Sequence, residues 1–248
     1  MNFILEKDND AMETECFLWK QLLKSAPQHK YFECTTQDIH SIPIPLHKQY
    51  IPLGSIDFTN KCLSKFYNIP KMNSIEIPSC LRNDEFLGRQ YKIASAQQIP
   101  TAGVYFVKDA SDMKRFSFYG DTQNIKPQDI NPHNLYVISE VVDIISEYRV
   151  YFLHGKVYAI EYYNGDPTVL PDITKIHKAN AIYSMQQDHP LSYTMDWMVT
   201  KSGTFLIEIH PTLFSVGLYT TLLGDGFLYG YKESLDYILR HNTPVIPS

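Results

Sequence analysis

Two carboxylates and a histidine stand close together in the stretch from 192 to 219, SYTMDWMVTKSGTFLIEIHPTLFSVGLY. Asp196 interrupts one apolar run that reads as a strand, and Glu208 and His210 interrupt the next. Acidic side chains are costly inside apolar strands unless they have partners. The pattern therefore raises the question of whether the two acids meet and what they bind.

The spacing of the acids depends on the turn between the two strands. We expect a three-residue hairpin loop over 201–203, because glycine suits the left-handed position that often ends such loops. Thr200 would then pair with Thr204, and Asp196 would fall opposite Glu208 on the same face of the sheet. A two-residue loop over 202–203 would shift this register and separate the acids.

Carboxylates that lie directly opposite each other repel, so one must be protonated or a cation must lie between them. Oxygen ligands suit Mg²⁺, which shares its coordination shell with substrate phosphates. In that interpretation, neutral amides at Asp196 or Glu208 leave the ligand-free fold as stable as before, or more so. Two other interpretations remain open: the acids face solvent, or a nearby Lys or Arg neutralises them.

The elements around this hairpin predict an α+β fold. No G-x-G-x-x-G or G-x-x-x-x-G-K-[ST] motif is present, so a doubly wound nucleotide-binding sheet is not indicated. Apolar alternation predicts strands near 50–56 and over 103–109, 134–144, 147–153 and 156–165. Helical spacing predicts helices over 12–25, 58–67, 172–187 and 232–241.

Composition excludes several classes of protein. The 248 residues carry a net charge of -5, which gives no general reason to bind nucleic acid or an anionic membrane. The first residues lack the features of a signal peptide, and no apolar run is long enough to span a bilayer. The four cysteines lack C-x-x-C spacing, so we expect free thiols in a cytoplasmic setting.

Asp196 followed by Glu208-x-His210 resembles the ATP-grasp superfamily, in which an Asp strand and a Glu-x-Asn strand hold the Mg²⁺ ions of ATP. His210 stands where that family has Asn. The segment ISEVVDIISEYRVYF is similar to the hinge of the family. The resemblance implies that Glu140 precedes an adenine-binding backbone at Val141 and Val142, and that Glu147 binds ribose.

The segment FVKDASDMKRF adds Lys108 and Lys114, and Glu147-x-Arg149 follows the hinge. Together with Gly-Leu-Tyr at 217–219, this set resembles an ATP-grasp clade named for one arginine and two lysines. The resemblance covers about residues 85–240 and implies that both lysines contact phosphates and that Arg149 holds the γ-phosphate or an acyl-phosphate. Taken singly, the lysines could be solvated loop charges, and Glu147 with Arg149 a surface ion pair.

The resemblance implies an ATP-grasp fold, in which two α+β subdomains clasp ATP. We expect a small N-terminal α/β domain over 1–85 and an ATP-grasp domain over 86–248. Within the latter, 86–143 would form the nucleotide lobe and 144–248 the metal-binding lobe.

The implied activity is that of an ATP- and Mg²⁺-dependent carboxylate–amine ligase that acts through an acyl-phosphate. Arg149 and Lys114 would be its catalytic residues, and its substrates an amino acid, peptide or protein. Two alternatives use the same nucleotide site. One is phosphoryl transfer from ATP to a hydroxyl, and the other is a nucleotide-binding module that has lost catalysis.

Overall fold

The computed structural model describes residues 1–43, 49–72, 76–111, 115–218 and 224–242. These residues form three β-sheets and five α-helices. Lys114 and Tyr219, which the sequence motifs single out, lie outside the described residues.

The first sheet is parallel and small. Its strand order is β2-β1-β3, from β1 (Asn2–Glu6), β2 (Lys30–Cys34) and β3 (Ile51–Leu53). Helix α1 (Glu13–Ser25) provides the crossover between β1 and β2 that parallel strands require, and α2 (Ile56–Tyr67) follows β3. Sequence periodicity located both helices and β3. It did not locate β1 or β2, because four of the five residues of β1 are buried and the burial of β2 does not alternate.

The second sheet is antiparallel and has the order β4-β7-β5-β6. Its strands are β4 (Tyr91–Ser95), β5 (Val104–Asp109), β6 (Ser117–Asp121) and β7 (Leu135–Glu140). A one-turn helix, α3 (Asp84–Leu87), precedes β4. The strand predicted over 134–144 is shorter than expected, because the chain leaves this sheet after Glu140 and crosses to the next one.

The third sheet is also antiparallel, with the order β11-β10-β8-β9. Its strands are β8 (Ser146–Leu153), β9 (Lys156–Gly165), β10 (Tyr193–Thr200) and β11 (Gly203–His210). The tight turn between β8 and β9 has positive φ angles at both His154 (52°) and Gly155 (70°), which matches the right-handed twist of a hairpin. Helix α4 (Ile173–Ser184) packs its buried Ile176 and Ala179 into the core on one face of this sheet.

Helix α5 (Asp225–Asn242) joins the first sheet to the third. Its residues Phe227 and Tyr231 belong to the same core cluster as Trp19 of α1 and Tyr151 of β8. The Trp19 Nε1–H group donates a hydrogen bond to the Tyr231 hydroxyl over 2.9 Å in this core. The helix predicted over 232–241 begins seven residues earlier, because the buried side chains of its first turns continue the same face.

No helix of the described residues is both long and apolar enough to cross a membrane. All four cysteines have free thiols, as expected from their spacing.

We predict that Tyr231→Phe lowers the free energy of unfolding by about 1–3 kcal/mol, because it leaves the buried Trp19 N–H group without an acceptor. Urea denaturation of the two proteins measures the difference. Tyr229→Phe on the same helix is the control, since Tyr229 is exposed, and its effect should stay within about 0.5 kcal/mol. Equal effects of the two substitutions would contradict the role of the hydrogen bond.

Candidate functional site

The turn between β10 and β11 differs from the one predicted. The loop has two residues, 201–202, and Thr200 pairs with Gly203 rather than with Thr204. The three-residue loop and the register derived from it are therefore wrong. Glycine is favoured here because Gly203 has φ +135°, yet it begins the strand instead of ending the loop.

The two acids nevertheless lie opposite each other, because β11 contains one extra residue. Trp197 pairs with Leu206, and the next pair is Asp196 with Glu208, which leaves Ile207 as a β-bulge. Without the bulge, Glu208 would point to the other face of the sheet. The bulge thus restores an opposition that the two-residue loop alone would have removed.

The opposed acids belong to a row that crosses all four strands of the third sheet. Glu161 of β9 lies opposite Arg149 of β8, Arg149 lies opposite Asp196 of β10, and Asp196 lies opposite Glu208 of β11. Directly opposed residues point to the same face of a sheet. The row therefore places a basic side chain beside the acidic pair.

Arg149 neutralises Asp196 through two parallel hydrogen bonds, Nε to Oδ1 at 2.8 Å and Nη2 to Oδ2 at 2.6 Å. Both side chains are buried, and Arg149 Nη1 also donates to the Gly217 carbonyl at 3.3 Å. Burial raises the pKa of the Asp196 carboxyl, but the hydrogen bonds and charges of Arg149 and His210 outweigh it and keep the net pKa below its ordinary value. The guanidinium of Arg149 is thus aimed at Asp196.

Glu208 has two basic partners. Lys108 of β5 reaches it from the second sheet, with 2.6 Å between Nζ and Oε2, and His210 Nε2 lies 2.7 Å from Oε1. Burial opposes ionisation of Glu208, yet His210 and Lys108 bring the net pKa of its carboxyl well below normal. Burial likewise lowers the pKa of His210, and its bonds to Asp196 and Glu208 raise it by more. Of the three interpretations, neutralisation by basic side chains is the one this structure displays.

A cavity of about 360 Å³ lies between the second and third sheets. Both sheets and the crossing segment after Glu140 contribute to its walls. The predicted site residues that line it are Lys108, Glu140, Val141, Val142, Glu147, Asp196 and Glu208. Apolar side chains complete it, among them Phe106, Val137, Ile144, Met198 and Ile207. Arg149 and His210 do not line the cavity and instead hold the acids that do.

Tyr163 is a further site residue, and no motif of the sequence pointed to it. It lines the cavity, and its hydroxyl donates to Glu147 Oε2 at 2.9 Å, while Asn164 Nδ2 donates to Oε1 at 2.6 Å. Burial raises the pKa of Tyr163, so its hydroxyl stays a donor. The alternation of β9 from Glu161 to Tyr163 was the available signal. Arg89 and Tyr91 also line the cavity, and no motif pointed to them.

The residues present fit a divalent cation. Asp196, Glu208 and His210 each offer a ligand atom, and these atoms lie within 4.8 Å of one another. Each carboxylate oxygen can accept more than one contact, and hard oxygen ligands are those that Mg²⁺ prefers. Two of the three ligands stand on the cavity wall beside Lys108, where a phosphate would be neutralised.

A family model for the ATP-grasp domain, family 2 of the clade named for one arginine and two lysines, matches residues 86–222. The match covers more than half of the 248 residues. The chain belongs to this clade of the ATP-grasp family. The family and the fold class predicted from the motifs are therefore confirmed. No curated protein sequence matches the chain significantly.

Solved structures of ATP-grasp ligases are similar over nearly their whole length. D-cycloserine synthetase superposes with a TM-score of 0.59 at 10% identity, covering 97% of this chain and 99% of that one. D-alanine–D-alanine ligase from Bacillus anthracis, complexed with ATP, gives 0.53 at 11% identity, with 96% and 95% covered. ATP-grasp ligase PsnB, complexed with a minimal precursor, gives 0.52 at 11% identity, with 95% and 99% covered. At such identities the likeness establishes the shared fold.

We predict that Asp196→Asn lowers the free energy of unfolding of the ligand-free protein by about 3–5 kcal/mol, because it leaves the buried Arg149 guanidinium without its charge partner. This reverses the expectation from the sequence, which assumed an unrelieved like-charge pair. Chemical denaturation measures the loss.

Glu161→Gln is the matched control, because Glu161 stands in the same row but is only half-buried and makes no ion pair among the described residues. Its effect should stay within about 0.5 kcal/mol. A loss for Asp196→Asn no larger than that of the control would contradict the buried pair.

Proposed function

We propose that this chain is an ATP- and Mg²⁺-dependent carboxylate–amine ligase that acts through an acyl-phosphate. The observation that carries the proposal is the cavity between the two antiparallel sheets. It gathers seven residues that the motifs predicted for nucleotide and metal, although they come from positions as far apart as Lys108 and Glu208. Family membership and the ligase folds that resemble the chain support the same activity.

The cavity offers each part of ATP a suitable surface. Its apolar side chains suit a base, and the backbone at Val141 and Val142 would meet the adenine edge. Glu147 is oriented by Tyr163 and would accept hydrogen bonds from the ribose hydroxyls. Lys108 would contact phosphates, and Lys114 is proposed for the same role.

The opposed acids of β10 and β11 would hold the metal. Asp196 and Glu208 with His210 would bind Mg²⁺, which when bound neutralises the charge of the phosphates. Lys108 pairs with Glu208 in this structure, and it would exchange that carboxylate for a phosphate. Arg149 keeps Asp196 ionised and oriented; a contact of Arg149 with the γ-phosphate, as the motif implies, requires it to exchange one of these bonds.

The proposed reaction has two displacements. A substrate carboxylate oxygen bonds to the γ-phosphorus while the bond to the bridging oxygen breaks and ADP leaves. The amine nitrogen then bonds to the acyl carbon, the carbon–oxygen bond breaks, phosphate leaves with the electron pair, and the nitrogen loses a proton. The protein supplies positioning and charge neutralisation in both steps.

The substrates are proposed to be an amino acid or a peptide, because D-alanine–D-alanine ligase and the precursor-bound ligase PsnB share the fold. We further propose the domain division at 85/86, with lobes meeting at 143/144. The N-terminal domain and the 164–190 segment would then select the substrate.

We predict that the protein binds ATP with Mg²⁺ and that its melting temperature rises, because a ligand bound by the folded state alone stabilises it.

Glu147→Gln should reduce the preference for ATP over 2′,3′-dideoxy-ATP by about 10- to 100-fold, since hydrogen bonds to a charged acceptor contribute about 1.5–3 kcal/mol. Titration calorimetry measures both nucleotides. A wild-type protein without such a preference would contradict the ribose role of Glu147.

We predict ADP release when a suitable carboxylic acid is supplied, with hydroxylamine trapping the acyl-phosphate as a hydroxamate. Amino acids and short peptides are the compounds to screen, and Glu208→Gln is the inactive control. Stable phosphate transfer to a hydroxyl product would instead indicate the phosphotransferase alternative. Tight ATP binding with no turnover across the screen would favour the non-catalytic module, for which His210 in place of the usual Asn is the supporting feature.

A further inference from the structure

Arg89 donates four hydrogen bonds, and every one goes to a neutral oxygen. Nε donates to Ser139 Oγ at 2.9 Å, and Nη1 donates to the carbonyls of Leu87 at 3.0 Å and Leu206 at 2.8 Å. Nη2 donates to the Ile207 carbonyl at 3.4 Å. Within the described residues no carboxylate pairs with this guanidinium. Arg89 is half-buried, and a charge removed from water without an ion-pair partner is costly unless polar groups compensate it.

Two of those carbonyls belong to the β-bulge. Leu206 is the last residue of β11 that pairs with β10 before the bulge, and Ile207 is the extra residue. A bulge leaves backbone groups of the ladder without their usual partners. The planar guanidinium donates to both carbonyls from one side chain, through two nitrogens in a fixed geometry. Arg89 thus provides hydrogen-bond donors to both backbone carbonyls at the bulge.

The backbone next to Arg89 is pressed against the same strand. Gly88 has φ +58°, and a Cβ atom built there would lie 2.3 Å from ring atoms of Phe205. The backbone conformation and the close approach both favour glycine at this position. Close packing of Gly88 on Phe205 and the hydrogen bonds of Arg89 to the next two residues therefore fix one continuous segment of β11.

Ser139 anchors the other end of the Arg89 side chain. It lies on β7 of the second sheet and is buried, so the guanidinium is held between the two sheets at the cavity wall. An anchored donor resists the slippage that would return Ile207 to regular pairing. Glu208, the residue after the bulge, depends on this, because its face of the sheet changes when the bulge is lost.

We propose that Arg89 is a positioning residue that holds the bulge at Ile207 and thereby keeps Glu208 in register with Asp196. The consequence for Mg²⁺ rests on the proposed function, in which Glu208 is a metal ligand. The consequence for the conformation of β11 is independent of the proposed function.

Arg89→Met and Arg89→Lys test the proposal, with Lys175→Met as the matched control. Lys175 is a cation of helix α4 that contacts the same strand, with its ammonium 4.2 Å from the centroid of the Phe205 ring, but it lies outside the hydrogen bonds to the bulge. The first measurement is amide hydrogen exchange over residues 204–209 of the nucleotide-free protein. We expect faster exchange in both Arg89 variants, no change in the control, and slowing of exchange in Arg89→Met by millimolar guanidinium ion.

The second measurement is ATP affinity with Mg²⁺ and with EDTA. Arg89→Met should weaken ATP binding about 10- to 100-fold in Mg²⁺, which is typical when the support of a metal ligand is removed, and less than about twofold in EDTA. Equal losses in both conditions, or unchanged exchange over 204–209, would overturn the role of Arg89. Should Arg89→Met fail to fold, Arg89→Lys decides by the same two measurements.

The two proposals fail in different ways. A wild-type protein whose ATP affinity ignores Mg²⁺ would refute the metal site, while exchange over 204–209 would still decide what Arg89 does. A strong dependence on Mg²⁺ that survives in both Arg89 variants would refute the positioning role and leave the ligase proposal standing.

Discussion

Two carboxylates face each other across β10 and β11, and much of the site is arranged so that neither charge is left uncompensated. Arg149 occupies both oxygens of Asp196 from the neighbouring strand, and Lys108 reaches Glu208 from the other antiparallel sheet. His210 lies between the two acids, 2.7 Å from one and 3.6 Å from the other. Buried ion pairs of this kind add little net stability, because desolvation cancels much of the attraction. Their effect is to hold a charged row in one geometry.

That geometry connects the two sheets that enclose the cavity. The Lys108–Glu208 ion pair connects the second sheet to the third beside Asp196. Arg89 connects the same two sheets at the bulge, through its hydrogen bonds to Ser139 and Leu206. The surfaces proposed for the base and for the metal thus belong to one cavity. In the proposed site Glu208 would bind the metal, and Lys108, its present partner, would pair with a phosphate instead. The balanced charge of the row and its proposed chemistry are therefore compatible.

The hairpin shows how a correct pairing can be predicted from a wrong local structure. The loop was expected to have three residues and has two, which by itself would have separated the acids. One extra residue in β11 restores their opposition, and a bulge leaves no reliable mark in a sequence because almost any residue can occupy it. No motif indicated Arg89 or Tyr163, since their partners Leu206 and Glu147 lie 117 and 16 residues away along the chain.

The sequence by itself determined the α+β class, most helices and the strands that carry the acids, because those depend on periodicity. Its motifs also resemble those of the ATP-grasp family, and the family model confirms that resemblance. The sequence also indicated Lys108, Glu140, Glu147, Asp196 and Glu208, which line one cavity. The tertiary structure alone decided which basic side chain pairs with which acid and the bulge that sets the register of Asp196 and Glu208. It also decided the hydrogen bonds by which Arg89 connects the two sheets. Those features depend on distances between segments that are remote in the chain, and local propensities carry no information about such distances.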